Sequence, residues 1–448
     1  MNILRFNHWW RDGEVNPALR GKPRQVLKKI LPYLEKRQIL ILKGLRRVGK
    51  TTLLYQIINH LLKEKEVSPY RIMYFSFDEE IEDFNELIQT YQHEILKEDF
   101  LHTKERCYLF FDEIQKCRGW PEKLKILYDL YPNLKICTSG SAALTLVRGV
   151  KESLAGRCFE FEITPLDFPE YLDFQGITYQ KERIDIFKEE ILREFDLFLY
   201  TSGYIEMIGE KNPEIIKRYF RESILERVIY RDIPEQFTIR EPGLIFKILK
   251  ILASQPGMLV EYKSLANDLN KDQRTIANYF EYLKWSFLVR VVYFFSLNLL
   301  TSEKKRKKYY LAYPAFSSAL IDEFSDELKG RLVENLFVSA LKAKFFYHST
   351  TKQEIDIILP AGNTFLPIEV KYRGKIQKKD MSALRSFMIR YKVDKGYLLS
   401  YDFEKEYAFS WGKIFIIPAW KFLLFSQSYL NFSESKAGSY LSNSPFAL

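Results

Sequence analysis

Cysteine and histidine are scarce in this chain, and neither is arranged as metal ligands usually are. The four cysteines, Cys107, Cys117, Cys137 and Cys158, all lie in the first third at spacings that match no zinc pattern. The five histidines show no paired ligand spacing. The sequence therefore argues against a zinc site and favours reduced thiols in a cytoplasmic protein.

Long hydrophobic runs are also absent. The longest, "FLVRVVYFFSLNLL" at 287–300, is too short to span a bilayer and carries Arg290. The first residues, "MNILRFNHWWRDGEV", lack the basic-then-apolar layout of a signal peptide. We therefore expect no membrane segment.

The composition is that of a folded protein with a basic surplus. Its 448 residues exceed what one hydrophobic core usually serves, so we expect two to four domains. Apolar residues make up 47% and charged residues 28%, which argues against disorder. The formal charge of +10 favours a polyanionic partner, most simply nucleic acid.

Between residues 38 and 141, short apolar runs rich in β-formers alternate with segments of helical periodicity. This alternation is typical of βαβ units around a parallel sheet. The predicted strands are "QILILK", "RIMYFSF", "CYLFFD" and "LKICTS". The chain therefore begins with an α/β unit.

The stretch "GLRRVGKTT" follows the first of these strands and opens a helix. It satisfies the pattern G-x-x-x-x-G-K-[ST], in which backbone N–H groups and a helix N-terminus surround phosphate groups. The lysine is expected to reach the β and γ phosphates, and the threonine after it to bind Mg²⁺. The alternative is a basic surface turn. The predicted nucleotide-binding residues are Gly44, Arg46, Arg47, Val48, Gly49, Lys50, Thr51 and Thr52.

In "CYLFFDEIQ", four apolar residues run directly into Asp112 and Glu113. A buried strand that delivers acids to a nucleotide site has this pattern. We expect Asp112 to hold Mg²⁺ together with Thr51, and Glu113 to orient or deprotonate the attacking water. The alternative is an acidic exit from strand to loop.

Two further catalytic candidates follow. Ser139 or Ser141 in "TSGS" could place a hydroxyl beside the γ-phosphate, or these residues could simply end a strand. Arg157 in "ESLAGRCFEF" could act as an arginine finger from a neighbouring subunit, which requires a homo-oligomer. It could equally pair with a local carboxylate, and Arg148 is the weaker rival for the finger.

A second group of charged residues lies near the C-terminus. Glu369 and Lys371 in "FLPIEVKY" are two apart on a predicted strand, so they share a face. A hairpin would bring Asp356 of "EIDIIL" beside Glu369, and Glu334 lies on the preceding helix. The two acids could share a divalent metal while the lysine orients a water. Alternatively, Glu369 and Lys371 form a salt-bridge surface.

Between these sites, "YKSLANDLNKDQRTIANYFEYLK" predicts two short helices broken at Asn270. Paired strands follow, which is typical of a winged helix-turn-helix, with the basic run 304–308, "KKRKK", in the wing hairpin. The second helix would bury one apolar face and present polar side chains to DNA. These side chains are Gln273, Arg274 and Asn278. The alternative is a protein-docking spacer.

The motifs "GLRRVGKTTLL", "LFFDEIQ", "CTSGSAALTL", "SLAGR", "ITPLDFPEYL", "GRLVENLF" and "PIEVKY" occur in an order and spacing that resemble one family. It comprises the archaeal and bacterial AAA+-type ATPases that carry a C-terminal domain of unknown function. The chain departs from it at Leu45, where proline is common, and at "LAYPAF".

The resemblance implies an α/β fold with a P-loop (AAA+/RecA-like) parallel sheet core and several appended parts. The expected domains are 1–165 for the ATPase with its N-terminal extension, 166–235 for a helical lid, 236–313 for the winged helix-turn-helix, 314–425 for a smaller restriction-endonuclease-like α/β domain, and 426–448 for a weakly ordered tail.

These observations predict a cytoplasmic, Mg²⁺-dependent ATPase that couples turnover to DNA binding or processing. Two alternatives stay open. One is an ATP-gated scaffold that binds a protein partner and carries an inert C-terminal domain. The other is a metal-dependent DNA nuclease regulated by nucleotide.

Overall fold

The computed structural model describes residues 3–79, 83–141, 150–322, 325–349, 353–362 and 364–430. Contacts divide the chain into two compact units. The first comprises residues 1–165 with 204–206 and 285–287, and the second comprises 166–203, 207–284 and 288–448. Of the tail predicted at 426–448, residues 426–430 form a short helix and the remainder lies outside the described residues.

A parallel sheet of five strands forms the centre of the first unit, in the order β2-β3-β4-β1-β5. The residues of β1 to β4 are almost all buried, as expected for strands covered on both faces. The strands are β1 Ile39–Lys43, β2 Ile72–Ser76, β3 Cys107–Asp112, β4 Leu134–Gly140 and β5 Cys158–Glu162. The four predicted strands are confirmed. The edge strand β5 was missed because polar residues interrupt its apolar pattern.

Helices and short helical turns surround this sheet. Their bounds are Ile3–Phe6, Trp9–Asp12, Pro17–Arg20, Gln25–Ile30, Leu31–Glu35, Lys50–Lys63, Pro69–Arg71, Phe84–Thr90, Tyr91–Leu96, Ile114–Lys116, Trp120–Leu130 and Val150–Ser153. The N-terminal extension is tied to β2, because the indole N–H groups of Trp9 and Trp10 both donate to the Ile72 carbonyl, at 3.1 and 2.9 Å.

The second unit contains one mixed sheet of nine strands, in the order β13-β14-β12-β11-β10-β9-β7-β8-β6. Its strands are β6 Met258–Val260, β7 Val289–Phe294, β8 Lys307–Leu311, β9 Phe345–His348, β10 Glu354–Ala361, β11 Thr364–Val370, β12 Lys395–Ser400, β13 Lys405–Phe409 and β14 Gly412–Pro418. Strands β7 and β9 pair in parallel, so the sheet runs without a break from the segment predicted as a winged helix into the segment predicted as endonuclease-like.

Helices of the second unit lie at Phe168–Phe174, Lys181–Phe187, Lys188–Thr201, Pro213–Arg218, Tyr219–Leu225, Val228–Asp232, Ile233–Gln236, Pro242–Ser254, Tyr262–Asp268, Gln273–Trp285, Leu299–Lys304, Pro314–Leu320, Asp326–Ala340, Lys378–Met381, Ser382–Tyr391, Ala419–Leu424 and Ser426–Leu430. A short helix, Ile205–Met207, lies where the chain passes between the two units. The segment predicted as a lid is therefore helical and contains no strand. In the part of the chain that the structure describes, no helix combines the length and apolarity needed to cross a membrane.

Candidate nucleotide site and carboxylate cluster

The loop between β1 and the helix Lys50–Lys63 depends on two glycines. A Cβ added at Gly44 would lie 2.4 Å from the Ile163 carbonyl oxygen, so no side chain fits there. Gly49 has a φ of +88°, in the left-handed region that favours glycine. The sequence pattern therefore has a structural reason at both positions.

Lys50 begins the helix and is buried within the loop. Its Nζ donates hydrogen bonds to the carbonyl oxygens of Gly44, at 3.1 Å, and Leu45, at 2.9 Å. Within the described part of the chain, no side chain caps the N-terminus of this 14-residue helix at Gly49. The amide groups and partial positive charge of this helix end, with the lysine ammonium, fit a polyphosphate.

Asp112 stands at the end of β3 and accepts hydrogen bonds on both carboxylate oxygens. Thr51 Oγ1 donates to its Oδ2 at 2.6 Å, and the Ser139 hydroxyl donates to its Oδ1. Because β4 is the neighbour of β3, Ser139 near its end reaches the acid at the end of β3. The Thr51 hydroxyl and the Asp112 carboxylate are oxygen ligands of the kind that Mg²⁺ takes. The structure thus brings together three of the predicted site residues.

Tyr74 completes the shell of Asp112 and was missed by sequence reasoning. Its hydroxyl, on the neighbouring strand β2, donates to Asp112 Oδ2 at 2.9 Å. Burial, and then the nearby Asp112 charge, raise the pKa of Tyr74 well above its usual value. The hydroxyl therefore keeps its proton and remains a donor. No linear motif marks a tyrosine on an adjoining strand.

Arg24 in the N-terminal extension is a second residue that the sequence did not reveal. It is buried, and its guanidinium donates to the Val48 carbonyl at 3.1 Å and to the Thr164 carbonyl at 3.2 Å. It therefore fastens the nucleotide-binding loop to the segment that follows β5.

The other residues predicted to bind nucleotide lie along the same loop. Val48 is buried, Arg46 and Thr52 are half-buried, and Arg47 is exposed with a φ of +63°. Glu113 directly follows Asp112, has a φ of +50°, and accepts a hydrogen bond from the Gln115 side chain. Its role in orienting or deprotonating the attacking water stays a prediction.

Arg157 is not assembled with these residues. It forms a two-point ion pair with Asp129, with nitrogen to oxygen distances of 2.9 and 3.2 Å. This is the local-carboxylate alternative, and a role as a finger for a neighbouring subunit stays a prediction. For Ser141, the other serine considered, the backbone N–H donates to Gln115 Oε1 at 3.3 Å. Arg148 lies outside the described residues.

In the second unit, the hairpin of β10 and β11 forms the register that the sequence predicted. Ile357 pairs with Ile368, which places Asp356 opposite Glu369. Both acids are almost fully buried, and Asp356 Oδ2 accepts a hydrogen bond from the Val370 N–H at 2.8 Å.

Glu334 and Glu354 bring further carboxylates to the same place. Ligand oxygens of Glu334, Glu354 and Asp356 lie within 4.8 Å of one another. We call these three residues with Glu369 the carboxylate cluster. Glu354 was not among the predicted site residues, because a glutamate at the start of a strand is common.

Lys371 pairs with Glu369, which is the contact that the salt-bridge alternative predicted. Burial raises the pKa of Glu369, and the charge of Asp356 raises it further. Burial also raises the pKa of Asp356, and the charge of Glu334 adds to this effect. The alternative of a salt-bridge surface is wrong in one respect, since only 4% of the Glu369 side chain is exposed.

The basic run 304–308, predicted to lie in a wing hairpin, is divided between an exposed segment, 304–306, and the strand β8, which pairs antiparallel with β7. Lys304 ends a helix, and Lys307 and Lys308 lie in β8. The Lys308 side chain is only 5% exposed, and it lies among the carboxylates. The alternation of a strand turns one lysine of the run inward.

The helix Gln273–Trp285 has the two faces that the sequence predicted. Ile276, Phe280 and Leu283 are buried. Gln273, Arg274 and Asn278 are exposed, and Asn270 takes a φ of +51° at the turn before the helix.

Comparisons with known proteins agree with this geometry. Residues 36–172 match the family model of an AAA domain. The first unit therefore has an AAA-type P-loop fold around its parallel sheet. Residues 192–327 and 329–422 match two domains of unknown function, DUF8612 and DUF4143.

Relatives extend over most of the chain. An uncharacterized protein of Methanocaldococcus jannaschii, MJ1544, is 28% identical over 436 residues and covers 90% of both chains. A second one from that organism, MJ1637, is 29% identical, covering 89% of this chain and 87% of its own. An uncharacterized protein of Haemophilus influenzae is 22% identical and covers 77% and 85%.

Among solved structures, the Walker-type ATPase PABY2304 of Pyrococcus abyssi is 18% identical, with a TM-score of 0.40. The match covers 69% of this chain and 97% of that one. The Aeropyrum pernix ORC1 protein in complex with DNA is 14% identical, with a TM-score of 0.28, over 72% and 93%. Scores this low do not define a common fold for the whole chain.

Proposed function

We propose that the first unit binds ATP with Mg²⁺ and hydrolyses it, and that the second unit couples this turnover to DNA binding or processing. The observation that carries the proposal is the meeting of Thr51, Asp112 and Ser139 at the carboxyl edge of the parallel sheet. Bound ATP with its cation supplies the phosphoanhydride bond to be cleaved.

Each residue of the site has a separate task. Lys50 offers an ammonium group to the terminal phosphates, and Thr51 with Asp112 offers oxygen ligands to the cation. Glu113 orients the attacking water and accepts its proton. Ser139 and Tyr74 hold the Asp112 carboxylate in one orientation.

Turnover in a matched pair of lysine variants tests this proposal. Lys50→Ala is expected to lower ATP turnover by at least about 100-fold, because it removes a charge from the reacting phosphates. Lys63→Ala is the control, because Lys63 ends the same helix and pairs with exposed Glu14 at 3.3 Å. Equal activity of Lys50→Ala and Lys63→Ala would contradict the proposal.

DNA coupling is supported by the exposed Gln273, Arg274 and Asn278 on a helix whose other face is buried. ATP turnover should therefore change when duplex DNA is added at low salt. If DNA binds weakly and leaves turnover unchanged, the protein-partner scaffold becomes the better account.

A metal-dependent nuclease is the second candidate function, and buried Asp356 opposite buried Glu369, which pairs with Lys371, favours it. Among the described residues, Glu369 Oε2 is buried and has no hydrogen-bond partner, so an acceptor is available for a cation. Asp356 and Glu369 would hold the ion, with Glu334 beside them, and Lys371 would orient a water.

DNA integrity in Mg²⁺ or Mn²⁺ tests the nuclease candidate. Cleavage should be lost in Asp356→Ala and kept in Lys50→Ala. Asp402→Ala is a matched control, because Asp402 is partly exposed and pairs with Lys188 at 3.0 Å. Cleavage that survives Asp356→Ala would exclude this site.

A further inference from the structure

One lysine of the second unit lies where a cation would be expected. Lys308 comes from β8, and its Nζ is 3.3 Å from Glu334 Oε1 and 3.8 Å from Asp356 Oδ1. It also contacts Glu354 Oε1. An ammonium has three N–H donors, and here three carboxylates surround it.

The surroundings of Lys308 hold it in this position. The ring of Phe346 lies 5.4 Å from Nζ, and Tyr310, two residues along the same strand, donates its hydroxyl to Glu334. The Lys308 side chain is therefore enclosed by three carboxylates and one aromatic ring.

When Lys308 is counted, the net formal charge of the site is equal and opposite to the charge of one divalent ion. With all groups ionised, the four carboxylates of Glu334, Glu354, Asp356 and Glu369 and the ammonium groups of Lys308 and Lys371 leave a formal charge of −2. Without Lys308 the same site carries −3. The open acceptor among the described residues, Glu369 Oε2, belongs to the carboxylate whose other oxygen, Oε1, accepts from Lys371.

We propose that Lys308 is a built-in cation that fills the position formed by Glu334, Glu354 and Asp356, so that the cluster has room for one divalent ion, at Asp356 and Glu369, and not for two. The inference rests on the metal site of the proposed nuclease function, but it does not require that DNA be cleaved. It assigns Lys308 and Glu354 to a site in which the sequence patterns had placed neither residue.

Mn²⁺ titration of the full-length, nucleotide-free chain by calorimetry tests this proposal. Lys308→Met should bind one additional Mn²⁺ per chain, or bind Mn²⁺ at least tenfold more tightly than the unsubstituted chain. Lys307→Met is the matched control, because Lys307 is the adjacent residue on β8 and pairs with Glu303 at 3.1 Å. It should bind Mn²⁺ as the unsubstituted chain does.

A double variant shows whether the gained ion uses the proposed position. Lys308→Met combined with Glu354→Gln should lose the gain. Lys308→Met that binds Mn²⁺ like Lys307→Met, or a gain that survives Glu354→Gln, would overturn the proposal.

A further measurement does not require that Lys308→Met folds. Glu354→Gln alone should leave the number of Mn²⁺ ions bound per chain unchanged, because the built-in cation, and no metal, faces that carboxylate. Loss of Mn²⁺ binding in Glu354→Gln would overturn the proposal.

Two measurements separate this inference from the function on which it rests: Mn²⁺ binding by Glu369→Gln, and DNA cleavage. If Glu369→Gln does not weaken Mn²⁺ binding, the proposed nuclease metal site fails, while a gained ion in Lys308→Met still supports the role of Lys308. Absence of cleavage with intact Mn²⁺ binding removes the nuclease function alone.

Discussion

The two acidic centres of this chain hold their carboxylates in opposite ways. Asp112 is held by neutral hydroxyl groups from Thr51, Ser139 and Tyr74. The carboxylate cluster is held by the ammonium groups of Lys308 and Lys371. Hydroxyl donors leave the negative charge available to a cation that arrives with a substrate, whereas ammonium groups neutralise part of it within the fold.

Because of this difference, substitutions at the two centres are expected to have different effects. Removing a hydroxyl from Asp112 takes away one hydrogen bond to a charged group. Removing an ammonium from the cluster leaves buried charges without compensation, which is far more costly. We therefore expect the second centre to respond mainly in stability and the first mainly in catalysis.

The largest effect on stability is expected from Lys308→Met. It should lower the free energy of unfolding of the second unit by roughly 3–5 kcal/mol when no divalent ion is present, because three acids then lack their cation. Chemical denaturation in EDTA measures this, with Lys307→Met as control at less than about 1 kcal/mol. Equal losses in the two variants would remove the contrast between the centres.

Glu113→Gln should have the largest effect on the chemistry of the first centre. We expect ATP turnover to fall by roughly 100-fold or more, because an amide cannot accept the proton of the attacking water. Nucleotide affinity, measured by titration with a fluorescent ATP analogue, should change by less than about threefold. A parallel loss of affinity would mean that Glu113 positions the nucleotide.

Tyr74→Phe is expected to have an intermediate effect. It deletes one hydrogen bond to Asp112 and should cost about 1–2 kcal/mol in thermal or chemical unfolding. Tyr70→Phe, at an exposed tyrosine just before β2, is the control and should be neutral. A loss above about 3 kcal/mol would be as large as that expected for removing a buried charge from the carboxylate cluster, and would contradict the contrast between the two centres.

Arg274→Ala should give the smallest effect. It removes one exposed positive charge and should weaken DNA binding a few-fold, lowering the slope of affinity against salt by about one. Fluorescence anisotropy at several salt concentrations measures this. Arg331→Ala, at an exposed arginine paired with Glu327, is the control. Equal losses in the two variants would indicate a diffuse charge effect.

The two centres also differ in how far the sequence could predict them. The nucleotide site follows a contiguous motif because backbone amides and the first helical residues supply most of the groups, so Lys50, Thr51 and Asp112 could be assigned from local patterns. Ser139 follows from its place at a strand end. Tyr74 and Arg24 could not be predicted, because they depend on which strand and which extension lie beside the loop.

The carboxylate cluster could be predicted only within its hairpin. The period of two and the short turn placed Asp356, Glu369 and Lys371 together. Lys308 was assigned to the basic run of a wing hairpin and not to the cluster, because its pairing with Glu354 spans 46 residues and depends on the parallel contact of β7 with β9. A run of basic residues does not show which one is turned inward by a strand.

The most direct test of the account is ATP turnover by the full chain and by Asp112→Asn, each measured in Mg²⁺ and in EDTA. The account predicts turnover that requires Mg²⁺ and falls by at least about 100-fold in Asp112→Asn. Turnover that persists in EDTA, or an Asp112→Asn variant as active as the unsubstituted chain, would contradict it.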